Sequence, residues 1–243
     1  MSKHIFKWLV VLSCITGCKT ISVQQEFQKT TQVQQTLGSI GNTNGTIISS
    51  AFAGTAVPVY KKPIKVIATS IPFTKHAYKA FLKAKIYQSA NIKITYVDSL
   101  TVKPTFVQLQ LADKVALIEA LNSKDNIGVK DYLGHHEAAA LVTNISIALN
   151  KQEQELLTKA NTVQLIQDAL GNYVLQCYLD DKQSTLQFNQ GVVFAYKAVN
   201  SCWQENSKQQ LTIVDLITQG RDCPRKTYKS RHNAKKRVDY FKL

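Results

Sequence analysis

The strongest constraint on the fold lies between Leu141 and Ile217, where strand-like alternation recurs between turn signals. Leu141, Thr143, Ile145, Ile147 and Leu149 occupy every second position, which puts them on one face of an extended chain. Further strands are predicted over Thr162–Gln167, Tyr173–Asp180, Thr185–Asn189, Val192–Asn200 and Leu211–Ile217. Gly171-Asn172, Asp180-Asp181 and Asn189-Gln190-Gly191 punctuate them with turn chemistry. Short connections of this kind join antiparallel neighbours, because a parallel pair needs a long crossover. The second half therefore reads as an antiparallel meander.

The part before it is mixed. Ile64, Val66 and Ala68 alternate with Lys65, Ile67 and Thr69, a strand pattern, and Pro72-Phe73-Thr74 suits a helix start. At about 100° per residue, Phe73, Ala77, Ala80, Phe81, Ala84 and Tyr87 gather on one side of that helix. Lys75, Lys79 and Lys83 line another side, read as a solvated face. Ile92, Ile94 and Tyr96 alternate again, so strand, helix and strand resemble a βαβ or split βαβ unit. A strand over Thr105–Leu111 and a helix over Asp113–Leu121 follow, the helix turning Val115, Ile118 and Leu121 inward. Gly128–Ala139 reads as a loop and short helix. Asn150 and Glu153 have capping-box spacing for a helix over Lys151–Ala160. The fold class expected is α+β, a mainly antiparallel sheet with a few packed helices.

The chain divides by composition. Lys3 and Lys7 precede an apolar run from Trp8 to Ile15, and the small residues Thr16 and Gly17 lead to Cys18. This is the layout of a secretory signal, too short to cross a bilayer as a helix. Ile15-Thr16-Gly17-Cys18 resembles the lipobox of bacterial lipoprotein signal peptides. The resemblance implies a leader over residues 1–17, lipidation of the Cys18 thiol, and acylation of the new amino terminus. Cys14 follows Val11-Leu12-Ser13 in a similar setting, but it would leave only Trp8–Leu12 as the apolar core. That is below the roughly seven residues such a core needs. The implied address is the cell envelope, reached through a lipid anchor. Lys19, where some inner-membrane lipoproteins carry Asp, points to the outer membrane.

Residues 18–59 then read as the lipidated terminus and a flexible tether. Gln24, Gln25, Gln28, Gln32, Gln34 and Gln35 make its first part polar, and Gly38, Gly41, Gly45 and Gly54 loosen the second. Ile47-Ile48 and Ala51-Phe52-Ala53 are the segments able to dock as an edge strand. Residues 60–220 read as one α+β domain, and 221–243 as a basic tail.

In an oxidising compartment Cys177, Cys202 and Cys223 are open to pairing. Cys177 shares a strand face with Tyr173, Leu175 and Leu179, the setting of a buried thiol. Cys202 and Cys223 are the expected disulfide, closing a loop of about twenty residues worth about 3 kcal/mol. Cys177 with Cys223 is the alternative.

Charge narrows function further. The chain carries 30 Lys and Arg against 16 Asp and Glu. Arg221, Arg225, Lys226, Lys229, Arg231, Lys235, Lys236, Arg237 and Lys242 crowd the tail, with only two aspartates among them. Such clustering suits an anionic surface. In an envelope the counter-surface is phosphorylated glycolipid, peptidoglycan carboxylate or a partner protein, and the compartment argues against nucleic acid. Gly134-His135-His136-Glu137 is the best candidate for chemistry. Adjacent histidines on a helix point about 100° apart and do not chelate one ion together. The zincin spacing fails because Ala140 stands where a second His is needed. No nucleophile elbow, phosphate loop or dinucleotide fingerprint occurs, and no metal or cofactor is expected. The leading expectation is a non-catalytic, lipid-anchored envelope protein that binds or scaffolds. The alternative is an anchored envelope hydrolase acting on glycan or peptide through His135, His136 and Glu137.

Overall fold

A computed structural model describes residues 20–46, 49–180 and 182–236. The expected leader over residues 1–17, Cys14 and Cys18 lie outside the described residues, as do Ile47-Ile48, Asp181 and Arg237. Four strands open the described chain: β1 (Thr20–Val23), β2 (Glu26–Thr30), β3 (Ile40–Thr46) and β4 (Ser49–Ala56). Next come β5 (Ile64–Pro72), α1 (Lys75–Lys85), β6 (Thr105–Leu111), α2 (Lys114–Asn122) and α3 (Ile127–His135). The second half holds β7 (Ala139–Ala148), α4 (Lys151–Lys159), β8 (Thr162–Gln167), β9 (Tyr173–Leu179) and β10 (Lys182–Gln187). It ends with β11 (Val192–Glu205), β12 (Leu211–Thr218) and the short α5 (Arg231–Lys236). The fold is α+β and dominated by its sheet.

The spine is the antiparallel pair β7–β11, in register from Ala148↔Val192 to Leu141↔Val199. Each outer edge of this pair takes two strands end to end. On β11, β2 pairs at Ala195 and Tyr196, and β12 takes over from Val199 to Glu205. On β7, β6 pairs from Asn144 to Ile147, and β3 from Ala139 to Leu141. Outward from these run β1 beyond β2, β4 beyond β3, and β5, β8, β9 and β10 beyond β6. β11 bends at three register shifts, which lets one long strand serve both arms.

Two apolar clusters cover the sheet. One gathers Leu109, Ile145, Ile147, Leu165 and Tyr196 from the strands with Leu117 and Leu121 of α2, Leu133 of α3 and Leu157 of α4. The other holds Phe73, Phe81, Phe106 and Phe194, whose ring centroids lie 5.0–6.4 Å apart. Ala77, Ala80 and Ala84 bring α1 close above these rings, and Ile21 and Val23 of β1 join the same cluster. The helices begin where local chemistry directs. Thr74 caps α1 by accepting from the Ala77 amide, Asp113 caps α2 at Ala116, and Asn150 with Glu153 forms the full capping box of α4.

Several expectations change. The segment read as a tether contributes β1–β4, and it is built into the core. Ile21, Leu37 and Ile40 are buried. Two of the glutamines that made it look solvated, Gln28 and Gln35, find internal partners. Gln28 is buried and accepts from the Ser146 hydroxyl at 2.7 Å, and Gln35 Nε2 donates to the Phe52 carbonyl at 3.1 Å. Gly38 takes φ +84° and packs between Leu165 and Tyr60, so the chain turns tightly onto β7, with the Gly38 amide donating to Val142 O.

The expected strand at Ile92–Tyr96 does not pair. Ile92 is buried and Tyr78 donates to the Ile94 carbonyl, so the alternation marks an extended segment lying down on α1. β5 and β6 run antiparallel, Val66↔Leu111 to Pro72↔Thr105, and no βαβ unit forms. Val115 is exposed because the inward arc of α2 is set by Leu117 and Leu121, and Tyr87 is exposed because α1 has ended at Lys85. β10 starts three residues before the expected position, and β11 runs on to Glu205.

Candidate functional site

The two sequence candidates for function meet on one surface. α3 ends at His135, and His136 is its C-cap. His135 Nδ1 lies 2.7 Å from the Asp131 carbonyl, and His136 Nδ1 lies 2.9 Å from that of Tyr132. A carbonyl oxygen only accepts, so each Nδ1 carries hydrogen and donates. The Tyr132 carbonyl also accepts from the His136 backbone amide at 3.1 Å, so the imidazole there is a second donor that folds back onto its own helix turn. His136 stacks on Tyr132 with centroids 4.2 Å apart. Both histidines and Glu137 are exposed. Each histidine is occupied with its own helix turn, and neither is hydrogen-bonded to Glu137. Among the described residues no three His, Cys, Asp or Glu side chains converge as a metal-binding group.

The basic segment packs beside this helix end. Cys202, buried in β11, is joined to Cys223, with 5.8 Å between the α-carbons. Five residues on, Tyr228 forms an isolated bridge to Trp203, the two backbones exchanging hydrogen bonds of 2.7 and 2.9 Å. Ala234 of α5 is buried against the main cluster. Residues 221–236 are therefore docked rather than trailing, which corrects the reading of the tail from Arg221 as a separate appendage.

Docking redistributes its charge. Arg231 Nη1 meets Asp131 of α3 at 2.7 Å, and Lys229 Nζ meets Asp222 at 2.9 Å. Gly134 makes the first pair possible, since a Cβ there would stand 2.7 Å from Arg231 Cδ. Lys130, beside Arg231, has its pKa lowered by burial first and by that guanidinium second. Arg221, Arg225, Lys226 and Lys235 are exposed, and none has a carboxylate within ion-pair distance among the described residues. Lys236 closes α5, and Arg237 lies outside the described residues. Glu137 shares a shallow depression of ≈ 360 Å³ with Asp222, Tyr228 and Lys229.

A second concavity carried no sequence signal. A cleft of ≈ 970 Å³ opens between the 33–39 segment, β4 and the β8–β9 turn. Gln35, Thr36, Ser39, Asn172 and Gln187 line it, and Asp168 is the one charged residue in the lining. That carboxylate accepts from the backbone amides of Asn172 and Leu170 at 2.8 and 2.9 Å, which holds its pKa below the usual carboxylate value. It is employed in the turn, so the cleft offers hydrogen bonds without an acid–base pair. Cys177 is free and buried, and burial raises its pKa to about 11, which makes it inert as a nucleophile.

The described surface thus defines a sheet-dominated α+β protein with a disulfide-pinned cationic segment at a helix end. Comparison with protein-family models, curated proteins and solved structures found no match.

Proposed function

We propose that this protein is a lipid-anchored envelope protein with a non-catalytic binding or scaffolding role, whose pinned basic segment contacts an anionic envelope component. The observation that carries the reading is that the exposed Arg221, Arg225, Lys226 and Lys235 belong to a segment held against the fold, with Arg231 paired to Asp131 of α3. The disulfide and the Trp203–Tyr228 bridge fix their backbone before any ligand arrives. A preordered cation cluster loses less entropy on binding than a free tail would. The lipobox resemblance at Ile15–Cys18 supplies the anchor and the compartment. There the available anions are peptidoglycan carboxylates and glycolipid phosphates. The histidines support the cluster as helix-end donors, and His232 on α5 is exposed next to it.

The test keeps the fold intact, since truncation would strip the strand bridge from Trp203. Wild-type chain and an Arg221→Gln/Arg225→Gln/Lys226→Gln/Lys235→Gln variant are sedimented with isolated peptidoglycan sacculi across a salt series. Retention of the wild type should fall as salt rises, and the variant should show weaker retention with a flatter salt dependence. Equal retention of the two proteins at every salt concentration would remove the segment from the mechanism.

A further inference from the structure

The α1 layer carries an outer surface that the sheet does not use. Ala77, Ala80, Phe81 and Ala84 face the core. At about 100° per residue, the pole opposite them falls on Lys75, Lys79, Leu82 and Ile86, with Lys83 at its margin. A helix pole facing water is normally polar. Here Leu82 is 42% exposed and Ile86 77% exposed. After α1 the chain crosses the same layer without helix or strand as far as Pro104. It exposes Tyr87, Val97, Leu100 and Val102, the last at 85%. A turn places Leu100 back on Val97, and Tyr96 of this segment packs on Tyr78 of α1 with centroids 5.1 Å apart.

The charge on this layer has one sign. Residues 75–104 hold six lysines and one acidic residue, Asp98. Asp98 is engaged by the Tyr96 hydroxyl at 2.6 Å and by Lys103 at 3.7 Å. Lys75, Lys79, Lys83 and Lys93 are exposed, and none is within ion-pair distance of a carboxylate among the described residues, although Lys75 acts on Asp98 at longer range. Aliphatic side chains set among unpaired lysines match the boundary of an anionic leaflet, where acyl chains meet phosphates.

The start of the described chain packs into the same layer. β1 begins at Thr20, two residues after Cys18, a span of at most about 7 Å even when extended. Ile21 and Val23 of that strand point into the cluster beneath α1. An acyl chain on Cys18 would hold this layer within a short reach of the headgroups. We propose that the outer face of α1 and the 97–103 loop form a membrane-docking surface for anionic phospholipid. Leu82, Ile86 and Val102 enter the interface, and Lys75, Lys79, Lys83 and Lys93 meet phosphate. This assignment rests on acylation of Cys18.

The test uses the native protein purified from membranes, reconstituted in phosphatidylcholine vesicles with or without phosphatidylglycerol. Lysines are acetylated under limiting reagent and located by mass spectrometry. Lys79 and Lys83 should react roughly fivefold more slowly on phosphatidylglycerol vesicles than in neutral detergent. The protection should disappear at about 0.5 M salt, where screening shortens to about 4 Å. Lys182 and Lys208, exposed on β10 and the β11–β12 turn, serve as unprotected references. A Leu82→Ser/Ile86→Ser variant alters only exposed positions and should lose most of the protection. Equal reactivity on the two vesicle types overturns the proposal. So does protection that appears in detergent as protein concentration rises, which would make this face an interface between copies. The intact mass of the same preparation reads the anchor independently. A bare Cys18 with its leader attached would refute the anchored-protein reading, and this surface assignment with it, whatever the lysines show.

Discussion

Removing the Cys202–Cys223 bridge, as Cys202→Ala with Cys223→Ala, should destabilise the whole protein and not merely free a tail. The bridge joins positions separated by 21 in sequence, and the loop it closes contains all of β12. The chain-entropy treatment gives such a crosslink about −11 cal/mol/K of denatured-state entropy, or about 3 kcal/mol at 25 °C. That is a large share of the roughly 5–15 kcal/mol that keeps a domain folded. With a urea dependence near 2 kcal/mol/M, the midpoint should fall by about 1.5 M. Trp203 is the natural reporter. It is fully buried, adjoins Cys202, and shares the chain with only one other tryptophan, Trp8. Hydrogen exchange at the Tyr228 amide, which donates to Trp203 O at 2.9 Å, reads the local consequence and should quicken. A loss under about 1 kcal/mol with Tyr228 still protected would refute the argument, because it would mean that packing alone holds residues 221–236.

Three further outcomes follow from single side chains. Asn126 is buried and clamps the β4–β5 connection, accepting from Val59 N at 2.7 Å and donating to Val59 O and Ala120 O at 2.9 Å each. Asn126→Ala leaves those groups orphaned and should cost about 2–3 kcal/mol in urea unfolding. At the β8–β9 turn, the folded pKa of Asp168 lies below 3.8, through hydrogen bonds from Asn172 first and Leu170 and Gly171 after it. A depressed value makes that stabilisation complete above 3.8 and lost as pH falls through the lower folded value. The amide shifts of Leu170 and Asn172 should therefore titrate together below 3.8, and a midpoint at or above it would contradict the geometry. Finally, Cys177 should resist alkylation at pH 8 until the protein unfolds, because its buried thiol ionises only near pH 11. Labelling much faster than global unfolding would show an opening that the packing does not provide.

What could be read in advance was what neighbours in sequence decide. The alternation of β7, the capping box at Asn150 and the turn at Gly171-Asn172 are local, and each formed where its residues placed it. The Cys202–Cys223 disulfide was legible from spacing, once Cys177 was read as a buried thiol on a strand face. The failures share a cause in long-range partners. Gln28 resembles a solvated linker residue until Ser146, far along the chain, supplies its hydrogen bond. Ile92 and Ile94 alternate like a strand because any extended segment pressed onto an apolar floor does so. The basic cluster was visible as composition, but its partial neutralisation depends on Asp131, a hundred positions before Arg231. The large cleft lacked any motif because amides and hydroxyls are common everywhere, and only the chain path around Gly38 makes them converge.

The shared spine has a consequence for how the molecule comes into being. Thr30 has no sheet neighbour on its inner side until Ala195 exists, and Ile40 waits similarly for Leu141. These early strands therefore wait on partners made much later, and non-local pairing of this sort slows assembly. A nascent chain would need shelter for the β3 edge until its middle third, and for the β2 edge until its final third, had been made. For Thr30 and Ile40 alike the inner partner lies a hundred positions or more further along the chain.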